Sequence, residues 1–138
     1  VPGSLVQTIF FRQNLDVGDV ARIPLNSARL DIPEMISVII PTCDRPAAFL
    51  HKAIESAMIQ SHPPHEVIVV DNCTIDINRE ALPDDVTVYR LPQRVGPSRA
   101  RNFGATMASG THFAFLDDDD WWDGDFLRET WVALHAEE

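Results

Sequence analysis

Four consecutive carboxylates, Asp117 to Asp120, follow directly on the apolar run Phe113-Ala114-Phe115-Leu116 and precede Trp121-Trp122. A short, wholly apolar run reads as a strand buried on both faces. The carboxyl ends of such strands are where open α/β sheets place their ligands. Carboxylates crowded at one point repel each other. A divalent cation that prefers oxygen ligands would relieve the repulsion, and such cations commonly bring a phosphorylated ligand with them. The competing interpretation is a solvated helix start, where aspartates favour the positive end of the dipole. Asp120 and Asp123 suit that role, whereas Asp117 and Asp119 suit the strand-end site. An EF-hand loop is excluded, because the fifth position counted from Asp117 is Trp121 and not a calcium ligand.

The elements that must position these residues follow from periodicity. Residues 1–35, with strand-like composition from Leu5 to Phe11 and no clear period from Leu15 to Leu30, are expected to form an extension that packs on the main domain or leads from another. Ile36 to Ile40 reads as a buried strand ended by Pro41. Asp44 is then placed to cap a helix with Pro46 in its first turn, and its apolar stripe is Leu50, Ala53, Ile54, Ala57 and Met58. Pro63-Pro64 stops that helix before a second strand, Val67 to Val70. A short helix over Ile75 to Leu82 and a third strand, Val86 to Leu91, nearer the sheet edge, follow. Gly96-Pro97-Ser98 opens a helix with Ala100, Phe103, Gly104, Met107 and Ala108 inward, closed by Gly110 in the C′ position. After the acidic run, a last helix begins near Asp123 with Phe126, Leu127, Trp131 and Leu134 inward.

Strands alternating with helices predict an α/β fold, a Rossmann-like and mostly parallel sheet with flanking helices. Polar residues follow every strand: Thr42-Cys43-Asp44-Arg45, Asp71-Asn72-Cys73, Gln93-Arg94 and the four aspartates. The chemistry is therefore expected on one rim of the sheet.

The chain has 138 residues, 45% of them hydrophobic and 23% charged, which suits one globular domain with a sizeable core. Its formal charge of -10 argues against nonspecific binding to nucleic acid or to anionic membranes. No apolar stretch approaches the ~20 residues of a membrane span, and no signal pattern opens the sequence. Two cysteines, Cys43 and Cys73, make no disulfide framework, so a reducing cytoplasm is expected.

Four segments together resemble one family. Ile39-Ile40-Pro41-Thr42-Cys43-Asp44-Arg45 is similar to the "IPTYNR" opening of family 2 glycosyltransferases of the GT-A fold, and Val69-Val70-Asp71-Asn72 to their "VVDD". Gly96, Ala100-Arg101-Asn102, Gly104 and Gly110 resemble their "GxxxARNxGxxxAxG" helix. Phe115-Leu116 with Asp117 to Asp120 resembles the "FLDxDD" that carries the DxD motif. The resemblance covers residues 36–138 and implies the donor-binding half of a GT-A domain. It implies transfer of a sugar, of hexosyl type, from a nucleotide-diphosphate sugar to a saccharide or other hydroxyl acceptor, with inversion and with Mg²⁺ or Mn²⁺.

Carried onto this chain, the resemblance makes Asp119 the metal ligand, with Asp117 and Asp118 at the ribose or the metal waters. Asp71 would accept a hydrogen bond from the base, and Pro41, Thr42, Cys43 and Arg45 would lie along base and ribose. Arg94, Arg99 and Arg101 are available to the diphosphate, where a guanidinium fork suits phosphate oxygens, and Arg101 is favoured among those on the helix.

Other roles stand beside these. Asp71 also suits a turn, though the ligand role is preferred; an arginine of the helix suits a surface ion pair, and one of Trp121 and Trp122 core filling. Cys43 stands where the family has an aromatic residue, which leaves the donor's base open. Cys43 and Cys73 follow neighbouring strands, and a disulfide or soft-metal pair between them stands as the lesser alternative to two free thiols. His62 and His65 flank Pro63-Pro64 in what reads as a solvated turn. The family's catalytic base matches nothing here and is expected beyond Glu138, so the isolated chain is expected to bind donor weakly without turnover. The alternative function is a non-catalytic interaction or dimerisation module, self-association being favoured by an exposed apolar edge. A nucleotidyltransferase would need a glycine-rich basic loop that the chain lacks.

Overall fold

The computed structural model describes residues 11–12 and 35–136. Its sheet has four parallel strands, β2 (Ile36–Thr42), β3 (Glu66–Asp71), β4 (Val86–Arg90) and β5 (His112–Phe115). A short antiparallel strand, β1 (Phe11–Arg12), pairs with β5, giving the order β1-β5-β2-β3-β4. The remaining residues of the proposed extension, and Leu5 to Phe10 with its strand-like composition, lie outside the described residues.

Alternation along the strands sorts two cores. Val38, Ile40, Val67, Val69, Ala114 and Leu116 face one side, where α1 (Ala47–Met58) and α3 (Phe126–His135) cover them with Leu50, Ala53, Ile54, Ala57 and Leu127. Ile39, Ile68, Val70, Phe113 and Phe115 face the other side, under α2 (Pro97–Met107) with Ala100 and Ala108. Burying strands on both faces is what makes their sequences read as continuous apolar runs. β4 lies at the edge and is only partly buried, as its polar alternation predicts.

Several local expectations are corrected. Pro41 does not end β2 but pairs within it, opposite Val70. The carbonyls of Ile39 and Thr42 point to β5 and β3 respectively, so alternation turns the nitrogen of Pro41 toward β5, past the last rung at Leu116. A missing N–H is harmless there. α1 begins after Pro46 with no side-chain cap, because Asp44 bonds elsewhere. The α1 helix ends at Met58, before the two prolines. The helix expected over Ile75 to Leu82 is a single 3₁₀ turn, Arg79–Ala81. Met107 and Leu134, expected inward, are both 41% exposed. Neither Asp120 nor Asp123 caps α3 with its side chain, and residue 125 takes the N-cap position.

Gln60, which sequence patterning did not single out, joins α1 to α3. Its amide donates to the carbonyls of Ser56 and Asp123, and its oxygen accepts from the Leu127 N–H at 2.9 Å.

Gly110 is not a C′ residue, since α2 ends at Met107 with Ala108 as C-cap. Its backbone instead lies against Ser37, to whose hydroxyl its N–H donates at 2.9 Å. Ser37 in turn donates to Glu66 at 2.6 Å, and Glu66 also accepts from the N–H of Ser109 at 2.6 Å. This network ties β2, β3 and the α2–β5 turn at the end of the sheet away from the polar rim.

Burial pushes the Glu66 carboxyl up, but the Ser37 and Ser109 bonds outweigh it and hold the group below its ordinary 4.5. A depressed folded value means stability that is present above 4.5 and is lost as pH falls through the folded value. Glu66→Gln is therefore expected to cost about 1–2 kcal/mol at pH 7, with the gap to wild type narrowing below pH 4.5. Urea denaturation at the two pH values measures this, and a gap that does not change with pH would contradict it.

Candidate functional site

The carboxyl ends of β2, β3 and β5 and the start of α2 enclose a cleft of ≈ 500 Å³. Its walls include Pro41, Thr42, Cys43, Arg45, Asn72, Arg94, Arg101, Asp117, Asp118 and Asp119. Gly96 opens α2 at φ 82, a conformation that favours glycine. Pro97 follows at the first helical position, where its missing N–H costs nothing. This turn sets the start of α2 against the rim.

The three aspartates differ in environment. Asp118 is buried, accepting from the Thr42 hydroxyl at 2.9 Å, the Cys43 N–H at 3.4 Å and Arg45 Nε at 2.8 Å. Asp117 pairs with Arg101 at 2.8 Å. Asp119 is the most open, its side chain 43% exposed and only 3.4 Å from the second guanidinium nitrogen of Arg45. Part of the crowding is thus relieved within the chain by Arg45 and Arg101. Arg94 borders the same cleft and reaches Asp44 at 3.4 Å. Arg99 is exposed and does not line it.

Among the described residues no group of three or more His, Cys, Asp or Glu is arranged to hold a metal. Mg²⁺ needs no such cage, being commonly held by one or two carboxylates together with phosphate oxygens and water. An open, loosely paired Asp119 beside Asp117 fits that donor set, and hard oxygen ligands suit Mg²⁺ or Mn²⁺.

Asp71 does not line the cleft. Alternation puts it on the side of Val67 and Val69, where its side chain is 1% exposed. One oxygen accepts from the Cys73 N–H at 3.0 Å; the other accepts from the Ile77 N–H at 3.2 Å and from Arg90 at 3.1 Å. Burial pushes its carboxyl up, yet the two backbone donors, with Arg90, hold it below the ordinary range. In the structure Asp71 therefore fastens the loop after β3, the turn role, and it does not border the cleft where a base would lie. Asn72, of opposite parity, is the residue that reaches the cleft. Counting in twos from Ile68 and Val70 would have found it.

Asp44 adopts a left-handed backbone at φ 49, tolerated by aspartate better than by most residues. Its carboxylate accepts from the Thr74 N–H at 2.7 Å and hydroxyl at 2.8 Å, and these hold it below its ordinary value. Its own N–H donates to Cys73 Sγ at 3.2 Å. Both cysteines are free thiols, and burial pushes that of Cys73 up to about 11. Trp122 fills the core, stacked on Phe126 at 5.0 Å, while Lys52 lies over the Trp121 ring at 3.6 Å. His62 and His65 lie in the expected turn around the two prolines, where His65 bonds Ser109 at 3.1 Å and half-buried His62 stacks on Trp131.

A parallel sheet with an acidic and arginine-rich cleft at its carboxyl rim defines a Rossmann-like α/β domain of the GT-A type. Residues 37–138 match the family described as Glycosyl transferase family 2, and the chain belongs to it.

It is 34% identical over 101 residues to a putative teichuronic acid biosynthesis glycosyltransferase, TuaG, of Bacillus subtilis, covering 69% of this chain and 40% of that protein. It is 42% identical over 81 residues to the succinoglycan biosynthesis protein ExoO of Rhizobium meliloti, covering 56% of this chain and 23% of that one. Among solved structures, S. aureus TarS 1-349 in complex with UDP-GlcNAc superposes with a TM-score of 0.63 at 26% identity, over 74% of this chain and 32% of that one. Mannosyltransferase PcManGT from Pyrobaculum calidifontis, in complex with GDP-Man and Mn²⁺, gives 0.61 at 26% identity, over 75% and 33%. The chain spans at most 40% of the length of these relatives.

Proposed function

We propose that this chain is the donor- and metal-binding half of an inverting glycosyltransferase that uses a nucleotide-diphosphate sugar. The observation that carries the proposal is the placement of Asp117, Asp118 and Asp119 with Arg45, Arg94 and Arg101 around one cleft at the sheet's carboxyl rim. The nucleotide-sugar complexes of TarS and PcManGT support the ligand class, and the Mn²⁺ of the latter supports the ion.

Pro41, Thr42 and Cys43 form the wall along base and ribose, with Asp117 toward the ribose. Asp118 keeps Thr42 and Arg45 in place. Arg94 and Arg101 offer forked donors to the diphosphate. Asp119, with Asp117, would hold Mg²⁺ or Mn²⁺, which when bound neutralises the charge developing on a departing diphosphate. The acceptor is a saccharide or another hydroxyl compound. Inversion also needs a base to deprotonate it on the face opposite the leaving group, and none of the cleft residues is given that role. The 138 residues by themselves are then expected to bind donor in the cytoplasm's reducing conditions without transferring sugar.

Calorimetric titration with UDP and GDP, with and without Mn²⁺, tests the proposal. Binding strengthened by Mn²⁺ is expected, and Asp119→Ala is expected to remove about tenfold of affinity, the metal-dependent part. Nucleotide binding indifferent to Mn²⁺ and to Asp119→Ala, or none, would favour a non-catalytic module.

A further inference from the structure

Asn72 is the polar group at the rim whose bonding is least like that of a ligand contact. Its side chain is buried at 5% exposure, yet it borders the cleft. Its amide nitrogen donates to the Gln93 carbonyl at 2.8 Å, and its amide oxygen accepts from the Val95 N–H at 2.9 Å. The two bonds therefore seize the backbone immediately before and immediately after Arg94. Only a group that donates and accepts at once can do this. A carboxylate at position 72 would set a negative oxygen against the Gln93 carbonyl.

We propose that Asn72 is the positioning residue for Arg94, fixing the loop between β4 and α2 so that the guanidinium stands over the cleft as a specificity contact for diphosphate. The side chain of Arg94 is 68% exposed, and its ion pair to Asp44, its one such pair among the described residues, is long at 3.4 Å. Such a side chain is held in place by its backbone more than by its own contacts. Asp44 is braced by Thr74, one residue beyond Cys73, so the loops after β2, β3 and β4 are stitched into one rim.

The role in diphosphate recognition rests on the donor-binding proposal, whereas the loop fixing does not, and the test separates them. Amide exchange at Val95 and the Arg94 Nε resonance report the loop in the full chain without ligand. Asn72→Ala is expected to speed Val95 exchange about tenfold, the scale of one net hydrogen bond, and to shift the Arg94 resonance. Asn72→Asp, which keeps the acceptor, is expected to protect Val95 better than alanine while still moving Arg94. Unchanged Val95 exchange in Asn72→Ala, or an aspartate variant indistinguishable from wild type, would overturn the loop role.

UDP with Mn²⁺ then reads recognition. Asn72→Asp and Arg94→Ala are each expected to weaken binding about tenfold, and the double variant no more than Arg94→Ala alone. Full additivity would show that Asn72 does not act through Arg94. If wild type binds neither UDP nor GDP, the donor proposal fails, and the exchange and resonance measurements still decide whether Asn72 holds the loop.

Discussion

Replacing Gly104 with valine is expected to lower the unfolding free energy by about 3 kcal/mol, and with alanine by about 1–2 kcal/mol, the cost of overpacking a filled core. Gly104 lies where α2 comes closest to the sheet. A Cβ there would meet Ile39 Cγ2 at 2.5 Å and Val70 Cγ2 at 3.1 Å. Both partners are wholly buried, on adjacent central strands, so neither can yield without disturbing the other core. Alanine regains about 1 kcal/mol of helix propensity over glycine, which is why its net cost is the smaller. The damage would not stop at stability. α2 carries Arg101, whose 2.8 Å contact to Asp117 leaves no slack if the helix is lifted. Urea midpoints measure the stability loss, and UDP titration the loss at the cleft. An alanine variant as stable as wild type would show that the helix stands farther from the sheet than described.

Asp118→Ala is expected to cost about 2–3 kcal/mol and to abolish donor binding. The carboxylate satisfies the buried Thr42 hydroxyl, the Cys43 N–H and Arg45 Nε. Removing it leaves buried donors without their acceptor, which costs about 1–3 kcal/mol for a group of this kind. Arg45 contributes less to the loss than a buried cation would, because it is 48% exposed and can turn to water or to Asp119. Asp118→Asn should recover part of the stability, since an amide oxygen still accepts from Thr42, but not the ion pair. Thermal unfolding and nucleotide titration of the two variants separate the effects. Equal stability of alanine and asparagine variants would argue that the Thr42 bond matters little.

The parts of the fold that were legible in the sequence are those where one local rule decides. Buried parallel strands announce themselves as apolar runs, so β2, β3 and β5 were placed within about two residues, and the stripe of α1 fell where its period put it. Legibility failed where a residue answers to two demands. Asp44 is a good helix cap by composition, but Thr74, thirty positions away, captures its carboxylate. Asp71 follows a strand as a ligand residue would, yet parity turns it inward to Arg90. The acidic run is legible as a cluster at a strand's carboxyl end, where Asp117, Asp118 and Asp119 border the cleft. Its neutralisation by Arg45 and Arg101 is not, because pairings across 73 and 16 positions leave no local trace.

The strand order has a consequence for how the cleft comes into being. β2 sits between β3, its near neighbour in sequence, and β5, whose pairing of Ile36 with His112 spans most of the domain. The Thr42–Asp118 bond joins positions 76 apart. Loop-closure entropy must be met before such distant contacts give anything back, so topologies of this kind gain their long-range pairings late. On a ribosome, β2, α1 and β3 can dock while the acidic residues are still unsynthesised. Until then β2 presents one unpaired edge and Arg45 has no carboxylate to meet. The cleft wall between Thr42 and Asp118 thus closes only after the acidic run has been made. A ligand that bridges Thr42 and Asp119 would act during folding as a latch on a closure across 76 positions.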